Sequence, residues 1–189
     1  WEKRALTLKL AIFEILDGGR QVGIDLLQGL AEKDEHEIRA RDLLLNLREI
    51  LNDQAAAQKL VDDIHAVQGE TGLQWRLYQA SLYLTGRRWR AMQQKITELL
   101  DRCMEADPGW AEPSLMLARM HEQLGNFEGA ESACRRTLTA NPAAVEVADR
   151  LVTLLEKQSR YAEAKKVLDR LEASPRVLSA RRVRVAIGA

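Results

Sequence analysis

The chain has 189 residues, 46% of them hydrophobic and 5% aromatic, and its 28 basic and 28 acidic residues leave no formal net charge. That balance excludes a whole-molecule attraction to nucleic acid or anionic lipid, so either would need a local patch. Leu, Ala, Glu, Arg and Gln dominate and only four residues are proline, so summed helix propensity predicts an all-α fold.

Small or aliphatic positions twelve residues apart recur about every 34 residues: Ala11 with Gly23, Leu45 with Ala57, Ala118 with Ala130, and Val152 with Ala164. Such a rhythm predicts two-helix units whose helices A and B approach closely where side chains are small. Five units are expected over 1–175, at about 4–37, 38–71, 72–110, 111–144 and 145–175.

In the first unit Leu10-Ala11 precedes a Gly18-Gly19 turn, then Gly23, Leu27 and Leu30. Its opening helix carries apolar residues around much of its circumference, from Ala5 and Leu6 to Ile15 and Leu16. A preceding repeat, another domain or a second copy is expected to cover that face. The second unit has Leu44-Leu45, a turn at Asn52-Asp53 with Asp53 as helix N-cap, then Ala57, Val61 and Ile64.

The third unit is irregular. Trp75, Ala80, Tyr83 and Gly86 suit an A helix and its turn, and Trp89 with Ala91 opens a B helix. Ala91 to Pro108 spans 17 residues, where Ala130 to Pro142 spans 12. An insertion of five adds about 7.5 Å of helix, so one long helix over Trp89–Ala106 is predicted, which protrudes or alters the local superhelical twist.

The fourth unit is the clearest: helix A over Glu112–Leu124, a turn at Gly125-Asn126, helix B over Glu128–Ala140, and a stop at Asn141-Pro142. The fifth has Leu151-Val152, a turn near Ser159-Arg160, then Tyr161, Ala164, Leu168 and Leu171, with Pro175 beyond. Over 176–189 a C-terminal capping helix, or the first helix of a truncated sixth repeat, is expected. The alternation of Val183, Val185 and Ile187 also permits a strand. Arg176, Arg181, Arg182 and Arg184 there read as a solvated face.

The fourth unit resembles the tetratricopeptide repeat (TPR) family, whose pattern is W-x2-L-G-x2-Y, A-x3-F, P. It offers Ser114, Leu117-Ala118 and His121, then Ala130 and Cys134, then Pro142; Ser114, His121 and Cys134 stand where the family has aromatics. The resemblance implies a right-handed superhelical solenoid of antiparallel helix pairs, with ligands on the concave face lined by A helices. Carried over by phase, that face comprises Arg39, Asp42, Asn46 and Glu49, then Tyr78 and Ser81. The fourth unit adds Glu112, Met116, Arg119, Glu122 and Gln123, and the fifth Asp149, Arg150, Thr153 and Glu156.

Catalytic patterns are not found: no P-loop, GxGxxG, HExxH or EF-hand spacing occurs, and the acidic pairs read as helix surface. Cys103, His121 and Cys134 lie on neighbouring helices, the ligand types zinc uses, but no close ligand pair or fourth ligand accompanies them. They read as two packed thiols and an inter-helix histidine. The longest apolar stretch, Leu10 to Leu16, contains Glu14 and is far below the ~20 residues of a membrane span. Among the aromatics of the third unit, Tyr78 is the best candidate for a partner anchor.

The expected function is a protein–protein interaction scaffold that holds a peptide or helix of a partner. Self-association through the apolar first helix is a further expectation; no enzyme activity, cofactor, metal, nucleic acid or membrane is expected. The first residue is Trp1, which reads as a fragment of a larger, bacterial-style protein, with cytoplasm and periplasm both open. The alternatives are a regulatory or substrate-recruiting module of an enzyme whose catalytic domain lies elsewhere, and an RNA-binding helical repeat.

Overall fold

The structure, a computed structural model, describes residues 2–171. The expectations for Pro175 and for 176–189 lie outside the described residues. Regular structure among them consists of eleven α-helices and two short 3-10 turns, without a strand. Two compact units divide between Trp89 and Arg90.

The first unit opens with α1 (Glu2–Asp17) and α2 (Arg20–Lys33), a hairpin closed by Gly18-Gly19. Ala11 and Gly23 are buried where the two helices meet. A Cβ on Gly23 would stand 2.6 Å from the Ala11 carbonyl oxygen and 2.5 Å from Ile15 Cγ1, so only glycine permits this approach. The opposite face of α1 stays uncovered, with Leu6, Phe13 and Leu16 exposed by 64%, 59% and 81%.

The next helix departs from expectation. A single A helix reaching Asn52 is replaced by α3 (Ile38–Leu45) and α4 (Arg48–Asn52). Between them Asn46 Nδ2 donates to the Asp42 carbonyl at 2.7 Å, while Leu47 is extended and buries its side chain. Tertiary burial of Leu47 overrides a stretch with no Gly or Pro to break it. Asp53 then caps α5 (Gln54–Gln68), its carboxylate accepting the Ala55 and Ala56 N–H groups at 3.1 Å. The last helix of this unit, α6 (Gln74–Thr85), packs on α5. Trp75 stacks on His65 with ring centroids 3.9 Å apart and carries the Arg76 guanidinium over its ring at 4.5 Å.

Arg41 lies inside this unit, 3% exposed. Its guanidinium donates to the carbonyls of Ala31 (2.8 Å), Asp34 (3.0 Å) and Glu37 (2.9 Å), with Asp63 at 3.4 Å. The last carbonyls of any helix lack intrahelical partners. Arg41 supplies donors to the end of α2 and to the turn that follows it.

The next segment also departs from expectation. The long helix expected over Trp89–Ala106 is a 3-10 turn, Trp89–Met92, followed by α7 (Gln93–Ala106), which at 14 residues equals the later α9. The extra residues lengthen a connection, not a helix. Four helices follow: α8 (Ala111–Gln123), α9 (Phe127–Ala140), α10 (Val145–Lys157) and α11 (Tyr161–Asp169), each packed on its predecessor. Ala118 and Ala130 are both fully buried, as are Val152 and Ala164, so the small pairs stand at the helix contacts. Around them Leu151, Leu154, Leu155 and Leu168 form one apolar core.

The 34-residue rhythm extends to backbone detail. Gly125 has a φ of 74°, and Asn126 N–H reaches the His121 carbonyl at 2.8 Å while Gly125 N–H reaches Glu122 at 3.0 Å. Ser159, 34 positions on, has a φ of 59°, with Arg160 to Leu155 and Ser159 to Glu156 both at 2.9 Å. Both helices end in the same left-handed cap.

Candidate partner-binding surface

In the first unit, α3 and α6 bring three of the anticipated residues together. The Tyr78 hydroxyl donates to the Asp42 carboxylate, and Asn46 Nδ2 lies 3.3 Å from the Tyr78 oxygen. Arg39 is exposed one position from the buried Ala40. Ser81 is half-buried, and its carbonyl accepts the Thr85 hydroxyl at 3.1 Å. Glu49, beyond the break in the helix, instead pairs with Arg20 of α2 through contacts of 2.5 and 3.1 Å. The Arg20 hydrogen bond, foremost, holds the Glu49 carboxyl below its ordinary range.

In the second unit the corresponding residues come from α8 and α10. Glu122 accepts from both Arg150 and Lys157. Burial works to raise the Glu122 carboxyl, but the Lys157 hydrogen bond and the two positive charges together hold it below its ordinary value. Glu112, Arg119 and Gln123 are exposed along α8, with Met116 half-buried between them. On α10, the Thr153 hydroxyl donates to the Asp149 carbonyl at 2.9 Å. Glu156 Oε1 is buried with no hydrogen-bond partner among the described residues.

Some polar residues escaped the sequence reading. Lys157 completes the Glu122 cluster, and its spacing of seven from Arg150 places both on one helical face, a signal that was available. Glu131, 7% exposed, accepts from Arg160, from Gln158 at 2.8 Å and from Arg135 at 3.4 Å. Glu163 joins this network through Arg160 at 2.7 Å and Arg135 at 3.3 Å. The long-range links of the network span 27 to 29 residues of sequence, beyond the reach of any local pattern.

Cys103 and Cys134 are buried and are not joined in a disulfide. Burial, the dominant cause, pushes the Cys134 thiol up to about 12, so it is protonated at neutral pH. Burial likewise lowers the His121 imidazole, whose Nδ1 lies 3.3 Å from Asn126 Nδ2. No group of three or more His, Cys, Asp or Glu side chains is set to hold a metal among the described residues. None of their helices is long and apolar enough to cross a membrane.

No family model matches the chain, and no curated protein matches it in sequence. Its fold does match solved structures. A thermophilic TPR protein of Thermus thermophilus, TTC0263, superposes with a TM-score of 0.70 at 19% identity, covering 98% of each chain. PilF of Pseudomonas aeruginosa gives 0.66 at 14% identity, over 98% of this chain and 88% of its own. PilW, a widely conserved type IV pilus biogenesis factor, gives 0.69 at 14% identity, over 100% of this chain and 86% of its own. The chain therefore has the all-α helical-repeat fold of TPR proteins. At these identities the likeness is one of fold.

Proposed function

We propose that this chain is a protein-interaction scaffold that holds a peptide or helix of a partner on the surfaces of its A helices. One observation supports this reading above others. In each unit, residues assigned to the binding face by repeat phase come together from consecutive A helices, Asp42 and Asn46 with Tyr78, and Glu122 with Arg150. These ion pairs and hydrogen bonds fix the surface, and exposed neighbours such as Arg119, Gln123 and Arg39 are the groups left to meet a ligand. Polar side chains of both signs beside Met116 suit a peptide backbone with mixed side chains. The same mixture disfavours RNA, which needs several unopposed cations.

The test is selection of binders from a displayed peptide library on the immobilised chain. Selected peptides should bind an Arg119→Glu, Gln123→Glu variant about tenfold or more weakly. Unchanged binding by that variant, with helical content intact, would remove α8 from the surface. Arg150 is unsuitable for this purpose, because a glutamate there would face Glu122 and confuse unfolding with lost binding.

The uncovered side of α1 forms a second part of the proposal, a self-association face. Leu6→Lys with Phe13→Lys should convert a concentration-dependent dimer into a monomer in sedimentation. A wild-type chain that is monomeric at about 100 μM would refute it.

A further inference from the structure

Positive charge is concentrated in one part of this neutral chain. From Thr71 to Thr97 there are five basic residues, Arg76, Arg87, Arg88, Arg90 and Lys95, and no acidic one. Three of them fall within four positions, in the sequence Arg87-Arg88-Trp89-Arg90. The structure places that run in the long connection between α6 and α7, residues 86–92. Other A-to-B connections are far shorter, Gly18-Gly19 after α1, 124–126 after α8 and 158–160 after α10. Those connections take two or three residues, whereas this one takes seven.

Local geometry holds the run outward. Gly86 N–H bonds the Leu82 and Tyr83 carbonyls at 3.1 and 3.2 Å, which ends α6. Trp89 N–H returns to the Gly86 carbonyl at 3.1 Å, closing a turn with Arg87 and Arg88 at its tip. Trp89 is half-buried, whereas Arg87, Arg88 and Arg90 are exposed. Arg87 and Arg88 form no ion pair with any described residue; Arg76, by contrast, is occupied by the Gly72 and Glu70 carbonyls. The negative end of the α6 dipole steadies two cations beyond it, and their outer N–H donors face solvent.

We propose that the Arg87-Arg88 turn is a docking site for an acidic linear peptide of a partner protein. Guanidinium forks pair bidentately with carboxylates, and adjacent arginines on a turn can take carboxylates from successive or alternate peptide residues. Nucleic acid fits less well, since stable binding needs more phosphate contacts than this small patch provides. A lipid surface fits less well too, because anionic membranes are bound by larger basic clusters and Trp89 is not free to insert fully. This site is independent of the A-helix surface proposed above.

The test is fluorescence anisotropy of a fluorescein-labelled hexaglutamate peptide with the full chain at about 20 mM NaCl, where screening is weak. Binding should weaken about tenfold in Arg87→Ala with Arg88→Ala. It should be partly kept in Arg87→Lys with Arg88→Lys, which retains charge but loses the fork. Lys9→Ala with Lys59→Ala, a charge-matched change at positions elsewhere on the surface, should bind as wild type does. Circular dichroism checks that every variant is folded. Absence of wild-type binding, or equal loss in the Lys9 and Lys59 variant, would overturn the proposal. So would tighter binding, dependent on the same arginines, by a hexauridylate RNA or by vesicles containing phosphatidylserine.

Discussion

Replacing Arg41 with methionine tests how the first unit is held together. Methionine replaces the aliphatic stem and keeps most of the side-chain volume but has no guanidinium, so the change removes hydrogen bonds more than packing. The guanidinium serves carbonyls of Ala31, Asp34 and Glu37 within 3.0 Å. Ala31 and Glu37 are themselves buried, so water does not readily replace the lost donors. An orphaned buried acceptor costs about 1–3 kcal/mol. Removing the buried arginine also relieves its own desolvation, which offsets part of that cost. A net destabilisation of about 3 kcal/mol is expected, and for a unit of this size it lowers Tm by roughly 12 °C or more.

Urea titration followed by far-UV circular dichroism and tryptophan fluorescence measures the loss. Arg39→Met, two positions away and outside that cluster of carbonyls, is the control and should change stability by less than about 0.5 kcal/mol. Arg41→Lys should fall between the two, since one ammonium cannot span three carbonyls in different directions. If Arg41→Met unfolds within about 1 kcal/mol of wild type, the cap at the end of α2 is not what holds α3 in place.

Further outcomes follow from the close contacts and caps. Ala130→Leu should overpack the contact with Ala118 and cost about 1–3 kcal/mol; an unchanged denaturation midpoint would contradict the packing at that contact. Gly23→Ala gains about 1 kcal/mol of helix propensity yet should destabilise, because its Cβ would meet the Ala11 backbone at 2.6 Å; a raised midpoint would show that α1 and α2 can separate freely. Ser159→Gly should stabilise by about 0.5–1 kcal/mol, since only its left-handed φ of 59° is at issue, and thermal melts that show no gain would argue against that cap. Glu122 contributes stability above its ordinary carboxyl value of 4.5 and loses it as pH falls through its lowered folded value. The stability gap between wild type and Glu122→Gln should thus be full at neutral pH and close in acid, and a gap independent of pH would show that Arg150 and Lys157 do not act on its charge.

The parts of the fold legible in the sequence were those written in side-chain size and turn chemistry. Ala11 with Gly23 and Ala118 with Ala130 announce close helix contacts because no larger residue fits there. Asp53 and Gly125 announce caps because few residue types can fill those roles. Arg41 gave no such signal. With Glu37 four residues before it, it has the spacing of a solvated surface pair, and only the carbonyls brought to it by α2 turn it inward. The break at Asn46-Leu47 was equally silent, since no glycine or proline marks it. Over 72–110 the excess of chain length is visible in the sequence, but length alone does not say whether a helix or a connection absorbs it.

The candidate binding surface divides along the same line. Repeat phase proposes which side chains share a face; Asp42 and Asn46 lie against Tyr78 in the first unit, and Glu122 against Arg150 in the second. Phase does not reveal which of them are already spent on one another. Glu122 held by two cations and Tyr78 held by Asp42 are poor first contacts for a ligand, because engaging them breaks bonds already made. Arg119, Gln123 and Arg39 carry no such penalty. Substitutions at these exposed positions should therefore change binding without changing stability, whereas substitutions at Glu122 or Asp42 should change stability first. Measuring both quantities on one set of variants separates the groups, and a loss of binding at Asp42→Asn with wild-type stability would reverse the assignment for that residue.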